Sequence, residues 1–244
     1  MNKYLLSLAL VFGLIILTTS CKTNVLKGEG KKITDAPAVT PFNAVVIDVS
    51  LKAVINVQEG ASAGVQLNGY ENLVKHIKTK VENNTLRIYS DLDDTWTMDS
   101  DDVTATITVP SITKLKLTGA PDADIHGNIS GSDFKLDISG ASTVKMDNVN
   151  VDNFSVDVSG AANVEVKGGI VKHAQYEVNG AGDLKAYPLQ SNETTVTISG
   201  AGTGHVTALQ KLTANISGAG TIKYKGHPAI SQDVSGAGTI ADAN

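Results

Sequence analysis

The sequence of 244 residues contains one cysteine, one arginine and one tryptophan. A single cysteine excludes an internal disulfide and a cysteine-rich zinc knuckle. A formal charge of −5 leaves no basic excess with which to neutralise phosphates, so no nucleic-acid partner is expected. Aromatic residues make up only 5%, too few to line a large ring-binding pocket. No His-Glu-x-x-His pair and no phosphate-cradling glycine loop occurs, and no cofactor is implied. What the chain does have is a hydrophobic fraction of 41% and 23 glycines. That combination suits a folded protein built from small residues and many turns.

Residues 1–20 read as a secretory signal. Lys3 supplies the positive start, and the stretch from Tyr4 to Leu17 is apolar. At about 14 residues it is shorter than the roughly 20 needed to span a bilayer as a helix. Small residues, Thr18-Thr19-Ser20, stand directly before Cys21. The arrangement resembles a bacterial lipobox, in which the cysteine is diacylated and becomes the new N-terminus. Cys21 is therefore the expected lipidation site, with a membrane as partner through that lipid. Residues 21–40 mix Lys, Gly, Pro and Thr without sustained periodicity and read as a lipidated start and flexible tether. A coil of that length would reach about 24 Å.

From residue 113 onward the chain repeats itself. The marker is a small polar residue followed by Gly-Ala, with its glycines at Gly119, Gly140, Gly160, Gly180, Gly200, Gly218 and Gly236. Their spacings are 21, 20, 20, 20, 18 and 18 residues. Apolar residues precede each marker at alternate positions, as in Phe134, Leu136 and Ile138 or Phe154, Val156 and Val158. They resume with the same parity after it, as in Val144 and Met146 or Val164 and Val166. Alternation of this kind is strand. A unit of about 20 residues cannot bury its own apolar face but can do so stacked on copies of itself. The expected fold is all-β, a parallel, right-handed β-helix (solenoid) with coils of 18–21 residues and the glycines at structural turns. Seven coils at about 4.8 Å each give a rod about 34 Å long. Residues 113–244 form this repeat region.

Residues 41–112 lack the marker but contain credible strands at 42–49, 53–57, 64–68, 86–89 and 103–110. Residues 72–81 read as one or two helical turns, and Asn83-Asn84 as a tight turn. This part is expected to extend or cap the rod. The pieces Asn68-Gly-Tyr-Glu-Asn-Leu-Val and Thr85-Leu-Arg-Ile, followed by Ser-Gly-Ala-Gly at 199, 217 and 235, carry a resemblance. Behind a lipoprotein signal, residues 42–242 resemble the auto-transporter adhesin head GIN domain family of Bacteroidetes-type bacteria. The resemblance implies a β-helix on the cell envelope with an adhesin-like role, and brings no catalytic residues. An autotransporter ends in a membrane β-barrel, a pattern that the residues leading to Asn244 do not have. Two acyl groups on Cys21 would suffice as anchor.

Three features invite chemistry. The acidic run at 90–102 offers Asp91, Asp93, Asp94, Asp99, Asp101 and Asp102 as weak calcium ligands, with Trp96 as a platform for a sugar. It lacks the central glycine of an EF-hand loop. Asp137, Asp157 and Glu177 each stand two places before a marker and should stack as an acidic stripe. The five histidines are scattered, so no metal site is expected; His126 and His205 occupy comparable outer positions about four coils, roughly 19 Å, apart.

The sequence thus points to a non-catalytic cell-envelope lipoprotein, secreted across the inner membrane and anchored by lipid, with the outer membrane as its expected site. Its rod would present a surface to a glycan, a protein or another copy. A carbohydrate-active enzyme on the same scaffold is one alternative, requiring clustered carboxylates in a groove. An assembly module is the other, because little sequence follows the last marker and a bare strand edge would favour homodimers through the solenoid ends.

Overall fold

The computed structural model describes residues 24–93, 95–99 and 102–244. Cys21, Asp94 and Asp101 lie outside the described residues. The chain winds into a parallel β-solenoid of about 6 turns. The repeat region is built from β10 (Lys114–Gly119), β11 (Asp122–Val166), β12 (Gly169–Gly180), β13 (Asp183–Gly200), β14 (Thr203–Gly218), β15 (Thr221–Lys225), β16 (Ala229–Gly236) and β17 (Thr239–Asp242). Each coil lies in parallel register on the one before, so that Phe154 faces Ala174, Val156 faces Tyr176 and Gly160 faces Gly180. The next coil continues the columns, with Tyr176 on Val196 and Gly180 on Gly200.

The marker works because of what happens at the corner. Gly140, Gly160, Gly180, Gly200, Gly218 and Gly236 all have φ between 120° and 137°, a region L-residues rarely enter. A Cβ at Gly140 would lie 2.0 Å from the Gly119 carbonyl oxygen, and one at Gly180 would lie 2.3 Å from that of Gly160. The same carbonyls accept hydrogen bonds from the alanine that follows the next corner: Ala181 donates to Gly160 at 2.9 Å and Ala201 to Gly180 at 2.9 Å. Glycine is thus required both by dihedral and by contact, and the inter-coil ladder runs round the turn unbroken.

Inside, the alternating residues form stacked apolar columns. Leu117, Ile138, Val158, Val178, Ile198 and Ile216 are all buried in one of them. The Phe134 and Phe154 rings stack at 5.9 Å, and Tyr176 meets Phe154 edge-on at 5.8 Å. Tyr176 belongs to the neighbouring column; its ring fits because Ala174 is the residue directly above Phe154. The narrowing of the coils shows at the position after each Gly-Ala, which runs Pro121, Ser142, Ala162, Gly182, Gly202, Gly220 and Gly238. The two-residue shortening is absorbed away from the corner, where the β13–β14 register shifts between Ala186 and Glu193.

The N-terminal part is wound out of order. β3 (Ala44–Asp48) and β4 (Lys52–Val57) form the coil beneath β10 and β11. Beneath that coil lie β7 (Thr85–Ser90) and β9 (Val103–Val109), parallel to β3 and β4. The end is closed by antiparallel strands: β6 (Ile77–Glu82) on β7, β5 (Gly64–Tyr70) on β9, and β2 (Lys32–Asp35) on β5. Asn83 and Asn84, both at positive φ, make the β6–β7 hairpin turn. Exposed Lys78 and Lys80 on β6 guard the terminal edge against further pairing.

Two expectations change here. Residues 24–40, read as a flexible tether, carry β1 (Asn24–Leu26) and β2, and Leu26, Ile33 and Val39 pack on the core. Their few apolar residues find partners far along the chain, which local periodicity does not register. Of the expected helical segment only residues 72–74 are helical, within α1 (Glu71–Val74); from Ile77 the chain is strand because β7 offers it an edge.

The corner argument makes a matched pair of substitutions informative. Gly131 has φ of 136° but nothing within 4 Å of a Cβ, whereas Gly140, at 133°, has the Gly119 carbonyl. Gly131→Ala is expected to cost only the dihedral penalty, about 1 kcal/mol, and Gly140→Ala more than about 3 kcal/mol. Urea denaturation followed by circular dichroism would measure both.

Candidate binding surfaces

The loop at 91–102 replaces the corner between β7 and β9. Leu92 packs on the core and Met98 is 5% exposed, so the loop is held by its apolar residues. Its short strand β8 (Trp96–Met98) pairs in parallel with β1. Trp96 itself is 42% exposed; Met98, not the indole, packs into the core. The described carboxylates turn to protein partners. Asp91 accepts from His76 Nδ1 at 2.8 Å and Lys78 Nζ at 3.2 Å, and these two hold its carboxyl below the usual range. Asp93 accepts from the Thr95 hydroxyl and amide, which lower it likewise. Asp102 accepts from the Gly28 amide at 3.2 Å, pinning the loop to the N-terminal segment. Asp99 bonds through its amide to the Leu26 carbonyl at 3.1 Å. Among the described residues no three His, Cys, Asp or Glu side chains converge on a metal-sized site.

The acidic stripe is interleaved with lysines. Lys135 Nζ reaches Asp157 at 2.7 Å and Asp137 at 3.0 Å, while Lys114 reaches Asp137 at 2.9 Å. The result is a zigzag of alternating charge across three coils. Sequence spacing located the acids correctly, but Lys135 lies two residues from Asp137 on the same outer face, so its long side chain can bridge neighbouring coils. Burial pulls the Asp137 carboxyl up, yet the two lysines outweigh it and the net direction is down. Lys135 is raised by Asp157 first and Asp137 second.

The adjacent side carries a second ladder. Asp147 is paired with Lys167 at 3.0 Å and His126 at 3.1 Å, and Lys167 is the main cause of its lowered carboxyl. His205 instead stacks on Tyr187 at 5.0 Å, with Lys225 Nζ 5.0 Å above the same ring. The two histidines therefore belong to different clusters. His173 lies 3.5 Å from Glu193.

The sequence reading passed over one motif. Gly60-Ala61-Ser62-Ala63-Gly64 has the spacing of a nucleophile elbow, but it runs from the turn after β4 into the first residue of β5. The elbow needs a strand-to-helix turn, so the spacing arises here without its geometry.

The lysine–aspartate ladder has a definite pH signature. The carboxyls of Asp137 and Asp147 are depressed in the folded state. Their stabilisation is complete above the unfolded carboxylate pKa of about 3.9 and is lost as pH falls through the lower folded values. Lys135→Met is expected to cost under about 1 kcal/mol at neutral pH, since the ladder is solvent-exposed. It should also flatten the fall in melting temperature below about pH 4, measured by differential scanning calorimetry across a pH series.

Residues 41–228, which hold the out-of-order coils and nearly all of the repeat, match the family described as "Putative auto-transporter adhesin, head GIN domain". Solved structures share the fold. A "putative adhesin" from Bacteroides fragilis, 23% identical, is covered in full by 89% of this chain with a TM-score of 0.77. Another from Parabacteroides distasonis, 20% identical, is covered in full by 90% of the chain at 0.72. A structure from the same species described as a "putative lipid binding protein", 22% identical, is covered in full by 91% at 0.68. No curated protein matches the chain. With the family match spanning the solenoid itself, the chain belongs to the auto-transporter adhesin, head GIN domain family.

Proposed function

We propose that this protein is a non-catalytic, adhesin-like component of the cell envelope, lipid-anchored at Cys21 on the outer membrane, whose rod presents a binding surface. The observation that carries the reading is that the adhesin family match covers the solenoid, residues 41–228, the part of the chain with an extended outer face. Faces built as parallel ladders repeat similar chemistry every coil, which suits recognition of an extended partner, a glycan or a protein. The lipobox-like Cys21 supports the anchor, and the −5 charge supports a partner other than nucleic acid.

The anchor is tested by expressing the wild type and Cys21→Ala in a native host. The wild type should incorporate labelled fatty acid, partition with membranes and be digested by protease added to intact cells. The variant should lose the label and leave the membrane fraction. A wild-type protein that carries no fatty acid contradicts the anchor; one protected from external protease contradicts an outward-facing adhesin.

A second reading, self-association, is favoured by the last coil. Ile230 and Val234 on β16 continue the inward columns of Leu212 and Ile216, yet are 43% and 40% exposed. Covering them with a second copy would bury apolar area and pair a strand edge. Sedimentation velocity at micromolar concentration should then show a dimer that dissociates in Ile230→Lys/Val234→Lys, and a wild-type monomer throughout would contradict this reading.

A further inference from the structure

The regular corner ladder ends at Gly119, and the place where it ends is hollow. A Cβ at each later corner glycine would meet a carbonyl of the coil beneath, whereas one at Gly119 would meet nothing within 4 Å. Beneath it the β3–β4 coil turns through Asp48-Val49-Ser50, with no glycine. One coil further down, the corner is the excursion that carries Trp96. Where these three dissimilar corners meet they leave a cleft of about 160 Å³, whose lining includes Asp48, Ser50, Ser90, Trp96 and Thr118.

The cleft has the two halves of a sugar site. Trp96 offers an exposed indole that the core does not need, held on β8 by its pairing with β1. Ser50 and Ser90 add hydroxyls to the lining. Asp48 takes the Arg87 guanidinium on Oδ2 at 2.6 Å, which fixes the carboxylate in the cleft wall, and Arg87 in turn lies 5.3 Å from the Tyr89 ring.

We propose that this cleft binds one neutral pyranose ring, the terminal residue of a cell-surface glycan; the inference rests on the adhesin-like reading for its glycan source. A pyranose presents an apolar C–H face that packs on an indole and a rim of hydroxyls that both donate and accept. Asp48 accepts from that rim, while Ser50 and Ser90 can donate to it. The volume is below the roughly 300–1,000 Å³ of drug-sized pockets, so it takes one ring rather than an oligosaccharide. A carboxylate in the wall and no lysine or arginine in the lining exclude acidic sugars.

Trp96 is the only tryptophan, so its emission reports this cleft directly. Methyl pyranosides of neutral hexoses and N-acetylhexosamines are titrated into the protein, with methyl glucuronide as the acidic comparison. At least one neutral ring should change the emission saturably with a dissociation constant in the millimolar range, about what ~12 non-hydrogen atoms yield at ordinary ligand efficiency. Asp48→Asn should weaken it at least tenfold and Ser50→Ala several-fold; the latter trims one hydroxyl from a partly exposed corner residue, so folding is preserved. An emission unaffected by every neutral ring, or affinities unchanged in both variants, overturns the proposal. The labelled protein is also applied to arrayed glycans ending in the same sugars. Array binding lost in Asp48→Asn supports the cleft; array binding retained in that variant overturns the cleft and leaves the adhesin-like reading standing on another face.

Discussion

The fold depends on one contact repeated at every turn of the corner ladder: a glycine carbonyl sits where the Cβ of the glycine above it would be, and accepts a hydrogen bond from the alanine that follows. The Gly119 oxygen lies 2.0 Å from the Cβ position of Gly140, and the Gly200 oxygen 2.5 Å from that of Gly218. Because backbone meets backbone there, side-chain repacking cannot relieve a larger residue. The corner therefore fixes both the spacing of the coils and their register. Once register is fixed, alternate residues are committed to the inside, and the columns from Leu117 to Ile216 follow.

The outside follows as well. With coils in register, outward side chains stack at the separation of neighbouring strands, close enough for lysines to bridge carboxylates above and below. Lys135 between Asp137 and Asp157, and Asp147 between His126 and Lys167, are the products. Such faces are stiff and patterned along the rod. A cleft lined by unlike corners forms where the glycine ladder stops, with Gly119 above the Asp48–Ser50 corner and the Trp96 loop. The adhesin family match agrees with an adhesin-like role for the molecule.

The repeat region was legible because its information is local: the marker, its period and the flanking alternation all lie within one coil's length. The strands of the N-terminal part were legible for the same reason, but their order was not. β7 and β9 insert beneath β3 and β4, and β5 and β6 turn antiparallel; these pairings are set by which edges remain open, information spread over some sixty residues. Val25 and Ile33 look like isolated apolar residues in a polar tether until β8 and β5 supply partners. At the cleft, Trp96 and the acids of its loop were visible in the sequence, whereas Asp48 and Ser50 were not: they are ordinary polar residues at a strand end and in the corner that follows it. Only the stacking of three unlike corners brings them to one place.

The central claim is that the corners are part of the inter-coil ladder rather than loops between strands. Amide hydrogen exchange of the native protein, resolved by nuclear magnetic resonance, tests it at the amides of Ala181, Ala201 and Ala219, which donate to Gly160, Gly180 and Gly200 at 2.9, 2.9 and 2.8 Å. Protection equal to that of the buried strand residues Val178 and Ile198 is the predicted result. Corner amides that exchange at the rate of exposed turns, while the strands stay protected, would contradict the account.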